Sequence, residues 1–324
     1  MNALTRRAAA LLLLTLTASS FAQTPAGYPN RPVKLMVGYS PGGAVDLIAR
    51  TLAQPIAASF GQQVLVENKA GAGTNIAMRA LTDSAPDGYT LMLAANALAA
   101  NPSLYQPAPF DVARDITPIA LVGRVPVVLA ANPQAQIPDF ATLLAKAKAS
   151  PGTITYGSPG NGATPHLATE LLESAAGIKL NHVPYKGGAQ AMNDVVAGHI
   201  QLVAVNALEV LPHVRAGKLR VLGVFSNKRS ALFPEVPTIA ESGFAGFESS
   251  VWYGLIGPAR MPEPLVTRLH QEVQRALATP ELRERLSAAG GEVLPGSRAM
   301  FAELVASEKL RYERLIRAAQ IKPD

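Results

Sequence analysis

The residues of this 324-residue chain that could do chemistry gather at two serine- and glycine-bearing turns. The first, Gly38-Tyr39-Ser40-Pro41-Gly42, fits G-x-S-x-G between a strand-like and a helix-like run, the setting of a hydrolase nucleophile elbow. His166, His182, His199, His213 and His270 lie downstream, so a triad is not dismissed by counting. Chemistry rejects it. An elbow uses the N–H of the residue after the nucleophile, and here that residue is Pro41, which has none. One lost oxyanion donor costs about 2.7–4 kcal/mol of barrier. Ser40 also ends the first strand after the leader, whereas an elbow belongs in mid-sheet. A secreted serine hydrolase using Ser40 is therefore the remote alternative, and no enzyme activity is expected.

Cofactors and metals fare no better. The histidines show no HExxH or paired spacing, and the absence of cysteine removes thiolate metal ligands, disulfides and a thiol nucleophile. Gly71-Ala72-Gly73 lacks the third glycine of a dinucleotide fingerprint, and Lys186 precedes its glycines instead of following them as in a P-loop. No cofactor and no metal are expected.

The turns themselves suggest binding. Gly42-Gly43 and the loop Gly157-Ser158-Pro159-Gly160-Asn161-Gly162-Ala163 each lead from a strand into a helix. A helix N-terminus presents unpaired N–H groups and partial positive charge, so two that face each other make an anion site without an arginine. Gly42, Gly43, Gly160 and Gly162 would let backbone amides approach an anion closely; they would equally serve tight βα turns. Asp46, in the first turn of its helix, suits capping, and His166 suits local packing or capping more than ligand contact.

The elements that must position these turns alternate strand and helix, which favours mostly parallel sheets covered by helices. In the first half the expected strands are Val33–Tyr39, Gln63–Glu67 and Tyr89–Ala95. A helix follows the first glycine turn, with Val45, Ile48, Leu52 and Ile56 on one face; Pro55 should kink or shorten it. A second helix is expected over Asn75–Ser84. The second half repeats the plan from Thr153. Its strands are Thr153–Tyr156, Lys179–Val183, Ile200–Val205 and Leu219–Phe225. Thr164 caps a helix that begins at Pro165, and a further helix runs from Ala189 to Ala197. Pro264–Ile321 reads as helical throughout, broken at Gly290-Gly291 and Pro295. Extended crossings join the halves, with a cleft between them at the carboxyl ends of the strands.

Composition sets outer bounds. With 48% apolar and 16% charged residues the chain can bury a large core, and disorder is not expected. Arg6-Arg7, an apolar run over Ala8–Ala18 and small residues at Ser20 and Ala22 form the pattern of a secretory signal peptide, 1–22. The expected location is thus periplasmic. Removing Arg6 and Arg7 with that leader takes the net charge from +6 to +4. Basic residues are scattered without interleaved aromatics, so nucleic acid is not an expected partner.

Several motifs together resemble one family. Tyr28-Pro29-x-Arg31-Pro32 and Ser40-Pro41-Gly42-Gly43-x-x-Asp46-x-x-Ala49-Arg50 are followed by Glu67-Asn68-Lys69-x-Gly71-Ala72-Gly73 and Ala85-Pro86-Asp87-Gly88-Tyr89-Thr90. Tyr156-Gly157-Ser158-x-Gly160-x-Gly162, Val183-Pro184-Tyr185-Lys186-Gly187, Gly217-Lys218-Leu219-Arg220 and Trp252-Tyr253-Gly254-Leu255 continue the match. The set resembles the Bug receptors, extracytoplasmic solute-binding proteins of tripartite tricarboxylate transporters, over nearly the whole chain after the leader.

The resemblance implies a periplasmic-binding-protein type II-like α/β fold: two α/β domains with a ligand cleft between them, closing like a Venus flytrap. Domain 1 would comprise 29–123 plus 251–324, and domain 2 would comprise 124–250. Such a receptor captures a small organic acid and delivers it to membrane permease subunits; a monomer is expected. A receptor signalling to a membrane sensor kinase would have the same sequence and stands as the alternative. Carried over by position, Ser40, Gly42, Gly43, Ala44, Thr74 and Asn75 would offer donors from domain 1. Ser158, Gly162 and Thr164 would grip the acid from domain 2, while Asn96, Tyr185, Asn206 and Trp252 would line the cleft. Two departures stand out: Gly38 replaces a usual proline, and Val205 replaces an acid commonly found before Asn206, which disfavours amino-acid ligands.

Overall fold

The computed structural model describes residues 27–288 and 290–323; the expected leader lies outside the described residues. The first glycine turn is embedded in a parallel β-α-β run of β1 (Val33–Val37), α1 (Ala44–Phe60), β2 (Val64–Asn68), α2 (Asn75–Thr82) and β3 (Thr90–Ala94). β1 lies between β2 and β3 and runs parallel to both. α1 buries Ile48, Leu52 and Ile56 on the sheet and ends at Gly61, whose φ of 62° suits a residue without a Cβ. Pro55 neither ends nor shortens this helix. It forfeits one backbone bond, and the buried Leu52 and Ile56 on either side keep the helix seated.

After α3 (Ala97–Leu104) comes β4 (Ile116–Ala131), and then a second alternating series. It consists of α4 (Phe140–Ala149), β5 (Thr155–Ser158), α5 (Thr164–Ala176), β6 (Asn181–Pro184), α6 (Gly188–Ala197), β7 (Leu202–Asn206), α7 (Ala207–Arg215) and β8 (Arg220–Val224). The chain then returns through β9 (Ser250–Pro258) and closes with α8 (Glu263–Ala278), α9 (Pro280–Ala288), β10 (Glu292–Val293) and α10 (Arg298–Ala318).

The expected extended crossings are β4 and β9, and β4 decides the architecture. Its stretch Ile116–Pro126 pairs antiparallel with β9, and from Val127 onward it pairs instead with β7 and β8. One strand therefore belongs to both halves, giving a continuous order β2-β1-β3-β9-β4-β7-β5-β6, with β8 and β10 also on β4. The result is a two-lobed α/β fold: one lobe on β1–β3 and β9, the other on β5–β8.

Two further expectations change. The segment from Pro264 is not helical throughout, because Gly290, at φ 68°, turns the chain so that Glu292–Val293 add to β4 opposite Arg124 and Gly123. Ala163, not Thr164, is the N-cap of α5: its carbonyl accepts the Leu167 N–H, so Thr164 is already the first helical residue.

Candidate ligand-binding cleft

Four helix N-termini converge between the lobes: α1 at Gly43–Val45, α5 at Ala163–Pro165, α6 at Gly188 and α7 at Asn206. Tyr39, Ala95, Pro159, Glu209 and Val251 complete the wall, and the lobes are closed down to a space of about 20 Å3. Tyr39 and Pro159 also border an adjoining mouth of about 250 Å3, where Gly71–Thr74 and Tyr105 face Asn161, Tyr185 and Lys186. Among the described residues no arginine or lysine lines the inner cleft. What it offers an anion is helix ends, whose first-turn N–H groups have no carbonyl within the helix to bond.

The turn from β1 into α1 is held by Asp46. This buried carboxylate accepts the Gly42 N–H at 3.0 Å, two bonds from the Arg50 guanidinium at 3.0 Å and the Asn68 amide at 2.9 Å. Burial alone would raise its pKa, but the bonds from Arg50, Gly42 and Asn68 outweigh that and hold it below the ordinary carboxylate value. Asp46 thus caps and braces the turn, as its place in the first helical turn predicts.

The same turn makes the contacts that close the lobes. Ser40 donates its N–H (2.9 Å) and its hydroxyl (3.1 Å) to the Lys186 carbonyl. The Ala44 N–H, at the start of α1, donates to Glu209 Oε1 at 2.9 Å. Glu209 Oε2 in turn accepts the Asn206 N–H at 3.1 Å and the Asn206 side-chain amide at 3.4 Å, which fixes the carboxylate to the lobe that carries it. Desolvation pushes the Glu209 pKa up, against the pull of these three donors.

In the second lobe the glycine loop rests on a stack of rings. Tyr156, His182 and His166 lie face to face with centroids 4.8 and 4.3 Å apart. Ser158 Oγ lies 2.7 Å from His182 Nε2 and accepts the Gly160 N–H at 3.1 Å. His166 Nδ1 accepts the Gly162 N–H at 3.3 Å, and burial drives its pKa well below the ordinary histidine value, with His182 and Lys179 adding to the shift. His166 is therefore a neutral support for the loop.

These bonds sort the residues expected at the site. Gly43, Ala44, Thr164 and Asn206 line the inner cleft; Thr74 and Tyr185 line the mouth, with the Tyr185 hydroxyl donating to Asp194 at 2.5 Å. Ser40 makes the interlobe contact, and the Gly42 N–H is committed to Asp46. The others are directed elsewhere. Ser158 is fully buried with its hydroxyl turned to His182, and Gly162 gives its N–H to His166. Asn75 accepts from Asn101, whose amide also bonds the Gly73 carbonyl. Asn96 donates to the Ser250 carbonyl, Glu308 and Tyr312 while accepting the Trp252 N–H, so it ties α3, β9 and α10 together beneath the cleft. Trp252 packs edge-on against Phe301 at 5.7 Å. The reason is the strand period: Val251 faces the cleft, so its neighbour Trp252 points to the opposite side of β9.

Sequence reasoning missed Tyr39, Gly188 and above all Glu209. For Glu209 a signal existed: Asn206-x-x-Glu209 directly after a strand is a capping-box spacing. Glu209 thus lines the inner cleft, although position 205 carries no acid.

A two-lobed α/β chain whose lobes share strands and close on a ring of helix N-termini is a solute-binding receptor of the periplasmic-binding-protein type II kind. The model of the tripartite tricarboxylate transporter family receptor matches residues 48–321. BugT of Bordetella pertussis is 35% identical over 297 residues, 91% of this chain and 91% of BugT. The chain belongs to this receptor family, as its motifs indicate. Among solved structures, Rpa4515 of R. palustris with adipate is 32% identical with a TM-score of 0.87, covering 92% of this chain and all of that one. MatC from Rhodopseudomonas palustris with bound malate is 29% identical with a TM-score of 0.85, covering 89% of this chain and all of that one. The family and these neighbours are solute-binding receptors, not enzymes. No helix among the described residues is long and apolar enough to cross a membrane.

Proposed function

We propose that this protein is an exported receptor that captures a small organic acid between its lobes in the periplasm and hands it to the permease of a tripartite tricarboxylate-type transporter. The observation that carries the reading is the convergence of four helix N-termini on a closed cleft, where the start of α5 still offers an anion seat although Glu209 takes the starts of α1 and α7. The neighbours that hold adipate and malate support the ligand class, and the family description supports the transporter. Ligand enters when the lobes part. It favours closure only through contacts that exist in the closed form, between the wall at Tyr39 and Gly43 on one side and the start of α5 at Thr164 on the other.

The test is a thermal-shift panel of organic acids on protein that has been unfolded and refolded to strip any co-purified ligand. An acid at 100 times its Kd adds about 2.7 kcal/mol of stability. A clear upward shift with one class of acid is the expected result; no shift across the panel refutes carboxylate capture.

A further inference from the structure

Glu209 is a second negative charge inside a cleft read as a carboxylate site, and the inference that follows rests on that reading. We propose that Glu209 bars short dicarboxylic acids and makes this receptor one for monocarboxylates, by setting the chain's own carboxylate where the second carboxylate of such a ligand would lie.

The geometry is specific. Oε2 is held by Asn206 within its own lobe, so the carboxylate stays at the cleft wall whether the lobes are open or closed. Oε1 crosses to the Ala44 N–H, the first amide of α1. Both oxygens accept N–H bonds, which is the pattern of an ionised carboxylate. One internal charge therefore occupies two of the four helix ends, those of α1 and α7. Among the described residues no cation faces it from the inner cleft wall.

Of the two other ends, the start of α6 at Gly188 lies against the Glu209 carboxylate itself, which leaves the start of α5 as the seat for a ligand. Thr164 is 2% exposed, and its Oγ1 is buried without a hydrogen bond of normal geometry, beside the Tyr312 hydroxyl. Close packing reserves the Glu209 position as well. A Cβ on Gly188 would collide with the Glu209 carboxylate, so the glycine at the start of α6 is what makes room for it. Only a longer acid seated at Thr164 reaches past Tyr39 and Pro159 into the mouth. A second carboxylate two or three carbons from the first stays in the inner cleft beside Glu209, and like charges at that range in a water-poor site disfavour binding by on the order of tenfold or more. Rpa4515 and MatC, by contrast, were found with the dicarboxylates adipate and malate.

The experiment is calorimetric titration of the refolded protein and of Glu209→Gln with three matched pairs: butyrate and succinate, 3-hydroxybutyrate and malate, benzoate and phthalate. The wild type should bind at least one monocarboxylate at least tenfold more tightly than its dicarboxylate partner. Glu209→Gln, which keeps an acceptor for one N–H while removing the charge, should narrow that ratio to threefold or less. Equal or tighter binding of the dicarboxylates by the wild type overturns the proposal even if the variant does not fold. A ratio unchanged in a folded Glu209→Gln protein overturns it too, while leaving carboxylate capture intact. Failure of every acid with both proteins overturns carboxylate capture itself, and this proposal with it.

Discussion

Replacing Asp46 tests whether the first glycine turn is built by one buried carboxylate. Asp46 is 3% exposed and accepts four hydrogen bonds, from Gly42, twice from Arg50 and from Asn68. Arg50 is half exposed, so its ion pair contributes little, about 1 kcal/mol or less. The bonds from Gly42 and Asn68 to a charged acceptor are worth more, about 1.5 kcal/mol each at the low end of their range. Asp46→Ala should therefore lower stability by about 2–4 kcal/mol, and Asp46→Asn, which keeps one acceptor, by roughly half of that. Trp252 is the only tryptophan and is buried in the same lobe, so its fluorescence in urea reports the unfolding directly. The pH dependence fixes the cause. The folded pKa of Asp46 lies below its unfolded value, so its stabilisation is complete above the ordinary carboxylate range and is lost as pH falls through the folded pKa. The gap between wild type and Asp46→Asn should be constant from about pH 8 to 6 and should shrink below about pH 4. A loss under about 0.5 kcal/mol for Asp46→Ala, or a gap that persists undiminished at pH 3, refutes the bracing role.

Two further outcomes follow from the cleft and its supports. Gly73 has φ 57°, and a Cβ there would come within 2.5 Å of the Tyr105 hydroxyl and 2.6 Å of the Asn161 carbonyl on the opposing lobe. Gly73→Ala should therefore hold the lobes apart and weaken acid binding about tenfold or more by calorimetry; undiminished affinity would show that closure does not bring these loops together. Glu173, on α5, has its pKa pushed up to about 7 by burial, against the pull of Lys179. Its folded pKa exceeds the unfolded one, so the protonated form favours the fold, and stability is lost as pH rises through about 7. Glu173→Gln should gain on the order of 2 kcal/mol over wild type at pH 8 and little at pH 4, and a parallel pH profile for the two proteins would contradict this.

Much of this fold is local and was legible for that reason. β1, β2, β3 and β5–β8 show as short apolar runs, and the helices between them end at glycines such as Gly61, Gly177 and Gly198 that take up positive φ. Hydrophobic period and turn chemistry act within a few residues, so one sequence displays them. The motifs were equally legible, because a turn such as Ser40–Asp46 carries its own brace. Of the residues expected at the cleft, Ala44 and Thr164 lie there because a strand-to-helix turn places its first helical amide at the carboxyl end of the sheet whatever surrounds it.

The rest depended on pairings between distant residues. That β4 changes partner at Pro126, and that Glu292–Val293 adds to it, follows from strand edges brought together across the chain. Asn96 and Trp252 look like polar and aromatic ligand contacts in sequence; packing against α10 turns both away from the cleft. Glu209 shows the division most clearly. Its spacing from Asn206 determines a capping role within one helix, but its separation from Ala44 by 165 positions says nothing of their meeting. The sequence by itself determined the elements, the turns and the family, because those are written in short-range pattern. Only the tertiary structure decided which side chains face the cleft and which charge lies in it, because closing two lobes sets groups side by side that the chain's local order never places together.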